Sequence, residues 1–132
     1  MLEAKHSALL DEAQRRGHTG VAQLRLCFQL LSLSSAIDRD CATRLAPHGL
    51  SEGRFIVLFL LHGAGGTLPP HELDERAGVT RATISGLIDG LQREGLLQRR
   101  SDAEDGRRLQ IVLTAQGKRL AEDLFNQHTQ WI

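Results

Sequence analysis

Four arginines, Arg99, Arg100, Arg107 and Arg108, flank a turn-forming stretch, Asp102-Ala-Glu-Asp-Gly106. Guanidinium groups on a hairpin tip pair with phosphate oxygens and are drawn to the negative potential of a narrow minor groove. The 132 residues sum to zero formal charge, yet Arg76 to Arg119 holds nine Lys/Arg against five Asp/Glu, a local balance of +4. Basic charge is therefore concentrated in one stretch rather than spread over the surface. Just before the arginines, Ile84, Leu87, Ile88 and Leu91 fall at i, i+3, i+4, i+7, the spacing of a helix with one face in a core. That face leaves Arg81, Ala82, Thr83, Ser85 and Gly86 pointing outward. Small residues let a backbone approach a duplex, hydroxyls reach phosphates or bases, and Arg matches a guanine edge. A solvated helix face and a solubilising hairpin are the bland alternatives. The order of the two elements, helix-turn-helix and then basic hairpin, favours nucleic acid.

Other chemistry is thinner. Cys27 and Cys41 are the only cysteines. On one helix, 14 residues apart, they are separated by roughly 21 Å at about 1.5 Å per residue, beyond the reach of a disulfide. The six histidines, His6, His18, His48, His62, His71 and His128, form no i, i+4 pair, and without a Cys-x-x-Cys motif no metal site is expected. The chain carries no phosphate loop and no Ser/His/Asp or paired-carboxylate context, so neither an enzyme nor a cofactor is expected. The N-terminus has no apolar run long enough for a signal peptide, and the longest apolar run, Phe55 to Leu61, is far short of a membrane span. A cytoplasmic protein with no membrane contact is the expectation.

The length fits a single domain, 1–132. An amphipathic helix is expected over 2–16, broken by Gly17 and Gly20. A long helix follows from about Val21 to Leu45, stopped by Pro47 and Gly49. Its middle, Leu24 to Leu33, is apolar nearly all round, which predicts burial on more than one face and makes Cys27 and Cys41 core residues. Ser51 caps a helix to about His62, Pro69 and Pro70 start a short one ending at Gly78, and Thr80 caps the next. Strands are expected at Leu96–Ser101 and Leu109–Leu113, and Thr114 caps a last helix. The predicted fold is mostly α with a small two-stranded β-wing, a winged helix-turn-helix with the second of its paired helices in the major groove.

From Pro69 to Gly117 the chain resembles the MarR family of regulators. Asp105-Gly-Arg107-Arg108 leading to Ile111-Val-Leu-Thr114-x-x-Gly117 is similar to that family's wing. Gly78-Val-Thr-Arg-Ala-Thr-Ile-Ser85-Gly-Leu-Ile88, closing on Leu91-x-x-x-Gly95-Leu, resembles its recognition helix. The resemblance implies a homodimer on palindromic double-stranded DNA, acting as a repressor. The helices of about 1–46 and 115–132 would dimerise, and about 51–113 would form the DNA-binding lobe. It further implies DNA contacts from Thr80, Arg81, Thr83, Ser85, Arg99, Arg100, Arg107 and Arg108. Arg107 would enter the minor groove, and Asp105 would brace the wing by pairing with an Arg.

Three features depart from the family pattern or leave its details open. Asp74 stands where helix-turn-helix proteins usually carry a small apolar residue, so it needs Arg76 or Arg81 as a partner or must tilt outward. The chain ends at Trp131-Ile132, earlier than the pattern suggests, and an incomplete C-terminus would weaken the dimer. Leu26-Cys-Phe28 resembles the branch that senses organic hydroperoxides through one cysteine, but the tyrosines that assist there have no counterpart, since the sequence contains no Tyr. A small apolar or aromatic effector is the default expectation, with Leu24, Cys27, Phe28, Phe55 and Phe59 as candidate walls, although such residues are more often plain core. Two rival functions stay open: thiol-based peroxide sensing through Cys27, and a winged-helix module that binds only protein.

Overall fold

The computed structural model describes residues 2–101 and 108–131. They form two compact units, 1–47 and 48–132.

The first unit is a pair of helices, α1 (Ala4–Arg15) and α2 (Val21–Leu45), packed on each other. Gly17, with φ of +70°, permits the left-handed turn after α1. Leu10 is buried, and the His6 ring stacks on Phe28 at 4.3 Å. The expectation that the middle of α2 is buried all round is not met. Leu26, Leu30, Leu31 and Leu33 are each at least half exposed, and Cys27 is exposed rather than core. The physical reason is that one partner helix covers one side of a cylinder, and this unit supplies only α1. Cys41 and Leu45, further along α2, are buried.

The second unit holds α3 (Glu52–Gly63), α4 (Pro70–Ala77), α5 (Arg81–Arg93) and α6 (Ala115–Trp131) around a small antiparallel sheet. Ser51 caps α3, its hydroxyl accepting from the Arg54 N–H at 3.2 Å. The apolar run in α3 is helical and buries Val57, Leu58 and Leu61. The sheet is larger than the predicted two-stranded wing. Strands β2 (Leu97–Ser101) and β3 (Leu109–Leu113) pair as expected, with Arg99 opposite Ile111. A further two-residue strand, β1 (Thr67–Leu68), adds to the other edge of β3. Leu73, Ile84, Ile88, Leu91, Leu97 and Ile111 are fully or almost fully buried at the centre of this unit. Among the described residues no helix is long and apolar enough to cross a membrane.

One joint ties the last helix to the sheet. The Thr114 hydroxyl donates to the Gly95 carbonyl at 2.7 Å and accepts from the Gly117 N–H at 3.0 Å, capping α6. Gly117 lies so close to the strand that an added Cβ would sit 2.0 Å from the Leu96 carbonyl oxygen. No side chain larger than hydrogen fits there without moving backbone. Gly117→Ala should therefore destabilise the fold by about 1–3 kcal/mol, the usual range for overpacking, read as a lower midpoint in denaturant unfolding. An unchanged midpoint would show that α6 can shift freely against Leu96.

Candidate nucleic-acid interface

The turn between α4 and α5 is closed by Gly78 in the left-handed region, φ +69°. Its N–H and that of Val79 both donate to the Asp74 carbonyl, at 3.0 and 3.3 Å. Thr80 then caps α5, its side chain accepting from the Thr83 N–H at 3.2 Å. The buried face of α5 is Ile84, Ile88, Gly90 and Leu91. Its other side leaves Arg81, Ala82, Thr83, Ser85 and Gly86 exposed, the set expected from the spacing. The two hydroxyls of the cap, Thr80 and Thr83, also lie 2.9 Å apart in a shared hydrogen bond, so their oxygens present one polar spot rather than two independent ones.

The arginines do not all serve the same purpose. Arg99 is turned back onto α5, with Nη1 donating to Gln92 Oε1 and Nη2 to Asp89 Oδ1, each at 2.6 Å. It ties the wing to the C-terminal half of the recognition helix. Arg100 is exposed and folds onto Gln98 of its own strand. Arg108 is exposed at the start of β3. With Leu109, Gln110, Pro69, Pro70, His71, Glu72 and Arg81 it lines an open groove of about 700 Å³ between the wing and the start of α4. Asp105 and Arg107 lie outside the described residues. Asp74, largely buried at 16 % side-chain exposure, forms an ion pair with Nε of Arg81. Of the partners expected for Asp74, Arg81 is the one found; Arg76 pairs with Glu72 instead.

Two supports were missed by sequence reasoning. Arg54 of α3 lies flat over Gly90 of α5, where an added Cβ would meet its guanidinium at 2.4 Å, and bonds Glu94 at 2.9 Å. A glycine inside a helix costs roughly 1 kcal/mol relative to Ala, so Gly90 was a visible sign that something packs closely there. The partners of Arg99 had no comparable sign, since nothing in their spacing joins a strand to the preceding helix.

The candidate effector walls divide between the units. Leu24 and Phe28 line a cleft of about 560 Å³ with Leu9, Ala13 and Val21 of the first unit. Phe55 and Phe59 belong to a row of rings in the second unit, Phe59 stacking on Phe125 at 5.8 Å and Phe55 on His128 at 4.6 Å. Cys27 is exposed on α2. Among the described residues no group of three or more His, Cys, Asp or Glu side chains could hold a metal ion.

The Arg99 tie is testable. Asp89→Ala and Arg99→Ala should each loosen the wing, and a double-mutant cycle between them should give a coupling of about 0.5–1 kcal/mol for a partly exposed pair. Faster hydrogen exchange at β2 in both variants would accompany it, and a coupling of zero would remove the tie.

Residues 48–108 match the model of the MarR family. Over 125 residues, 94 % of this chain and 75 % of the relative, the sequence is 37 % identical to the HTH-type transcriptional repressor YetL of Bacillus subtilis (strain 168). The fold is similar to that of Staphylococcus aureus MepR in its complex with DNA, with a TM-score of 0.65 and 25 % identity over 78 % of each chain. It is also similar to NadR in complex with 4-hydroxyphenylacetate, with a TM-score of 0.64 and 26 % identity over 74 % of this chain and 69 % of that one. With its helix-turn-helix, its wing and these relatives, the chain belongs to the MarR family of DNA-binding transcriptional regulators.

Proposed function

We propose that the chain works as a symmetric homodimer that binds a palindromic operator in double-stranded DNA and represses transcription in the cytoplasm. The observation that carries this is the division of α5. One face is fully buried, and the N-terminal half of the other is exposed and carries only small, hydroxyl or cationic side chains. Thr80, Arg81, Thr83 and Ser85 face the major groove, and two recognition helices about 34–36 Å apart would match one turn of DNA. Arg100, Arg107 and Arg108 of the wing contact the backbone and minor groove, with Asp105 as brace, while Arg99 holds the wing to α5. The helices of 1–46 and 115–132 dimerise, and 51–113 form the DNA-binding lobe. In support, Leu26, Leu30, Leu33 and Ile37 recur at i, i+4, i+7, i+11 on α2 and stand about half exposed, a stripe suited to another helix. In this reading a small apolar or aromatic effector releases DNA; the 4-hydroxyphenylacetate bound to NadR supports a ligand of that class. Leu24, Phe28 and the exposed Cys27 of the first unit offer it one set of contacts, and the rings of Phe55 and Phe59 in the second unit offer a separate one.

The test is fluorescence anisotropy with the DNA flanking the protein's own gene, against a scrambled duplex, at two salt concentrations. Selective binding that weakens with salt is expected, and Arg107→Ala should abolish it. A folded dimer that binds neither duplex would overturn the reading in favour of a protein-interaction module. A second variant separates binding from stability. Gly86 has open space around its Cα, so Gly86→Ala should stabilise the fold by up to about 1 kcal/mol yet weaken operator binding, because its methyl stands where the backbone approaches the duplex. Unchanged binding by that variant would place the duplex elsewhere.

A further inference from the structure

Asp74 is an unusual residue to find beside a surface that binds a polyanion. It lies in the first helix of the pair, its side chain is 16 % exposed, and a carboxylate that has lost most of its water needs a cationic partner. The partner is Arg81, the first residue of the recognition helix. That position is itself unfavourable for a cation, since the N-terminus of a helix carries partial positive charge. Each residue of the pair therefore offsets the other's difficulty. The contact is made through Nε of Arg81. An Nε bond to a carboxylate fixes the plane of the guanidinium and leaves Nη1 and Nη2, the two-pronged end that can donate in parallel to O6 and N7 of guanine. Arg81 also borders the open groove with Arg108, where a duplex would lie.

We propose that Asp74 is a specificity-determining positioning residue: by holding Nε of Arg81, it commits that guanidinium to a base edge and withholds it from the phosphates. This rests on the placement of Arg81 in the major groove. Electrostatics gives the proposal a sign. A neutralised Arg adds little to the general attraction for DNA, whereas an untethered Arg is free to swing to the nearest phosphate and release a counterion. Loss of the carboxylate should therefore lower discrimination and raise indiscriminate affinity. Loss of a purely structural residue would lower both.

The experiment selects preferred sites for the full-length protein from a duplex library with a randomised centre. Wild type, Asp74→Asn, Arg81→Ala and the double variant are then compared on the best site and its single-base substitutions. Asparagine keeps the shape of the side chain and leaves the Asp74 carbonyl, which holds the Gly78 and Val79 N–H groups, untouched. Asp74→Asn should flatten the preference at one base pair of each half-site by about tenfold, the same pair that Arg81→Ala flattens. It should also bind scrambled DNA more tightly, with a salt slope steeper by about one ion. In the double variant the Asp74 effect should vanish. The proposal is overturned if Asp74→Asn keeps the wild-type preference, or weakens every duplex alike. If Arg81→Ala leaves all preferences intact, the placement of Arg81 falls first and the role of Asp74 with it. If no sequence is selected at all by the wild type, it is the operator-binding reading that fails. Thermal unfolding checks that each variant is folded. Asp74→Ser, which retains an acceptor oxygen but no charge, replaces Asp74→Asn if that variant unfolds, with the same expected loss of preference.

Discussion

A helix that buries Ile84, Ile88 and Leu91 has no freedom left in its rotation about its own axis. These side chains have essentially no exposed surface, and turning the helix by one residue, about 100°, would bring them into water and drive Ser85 or Asp89 into the core. Burial of three large aliphatic side chains is worth about 1.5–3 kcal/mol each, so the face that α5 presents is determined by the core and not by whatever it binds. The rest of the unit elaborates this constraint. Gly78 and the Thr80 cap set where the helix begins, Arg54 and Glu94 clamp its far end across Gly90, and the Arg99 tie joins β2 to it.

Charge in this region is organised by who holds it. Arg54, Arg81 and Arg99 are each held by a carboxylate of another element, and their side chains range from about a quarter to nearly two thirds exposed. Counting arginines on the sequence treats them as equivalent donors to phosphate. A cation held by a carboxylate adds less to a long-range field than a count along the sequence suggests.

What could be read from the chain and what could not follow from the range of the interactions concerned. The i, i+3, i+4, i+7 pattern of α5, the caps at Ser51 and Thr80 and the alternation in β3 are local, and their elements stand where they were expected. Strand β1 escaped notice because two residues, Thr67 and Leu68, show no period, and they count as a strand only because β3 lies beside them. The apolar middle of α2 looked like core because composition reports how much apolar surface exists, not what covers it; with α1 alone against it, Cys27 and its leucine neighbours remain exposed. Within the site, the outward set on α5 was legible from its complement. The grips on Arg81 and Arg99 were not equally so. An acid at Asp74, where a small apolar residue is usual, announces a need for a cation, while an arginine on a strand such as Arg99 announces nothing.

The joint at Thr114 has a mechanical consequence. Gly95, Leu96 and Gly117 meet through backbone atoms and the Thr114 hydroxyl, with the Leu113 side chain against Gly117. The end of the recognition helix, the root of the wing and the first turn of α6 are therefore joined at one close backbone contact. A tilt imposed along α6 would bear directly on the Leu96 backbone at that joint, and the long arm of that helix, seventeen residues from Ala115 to Trp131, gives a small force at its tip a large moment at the other end.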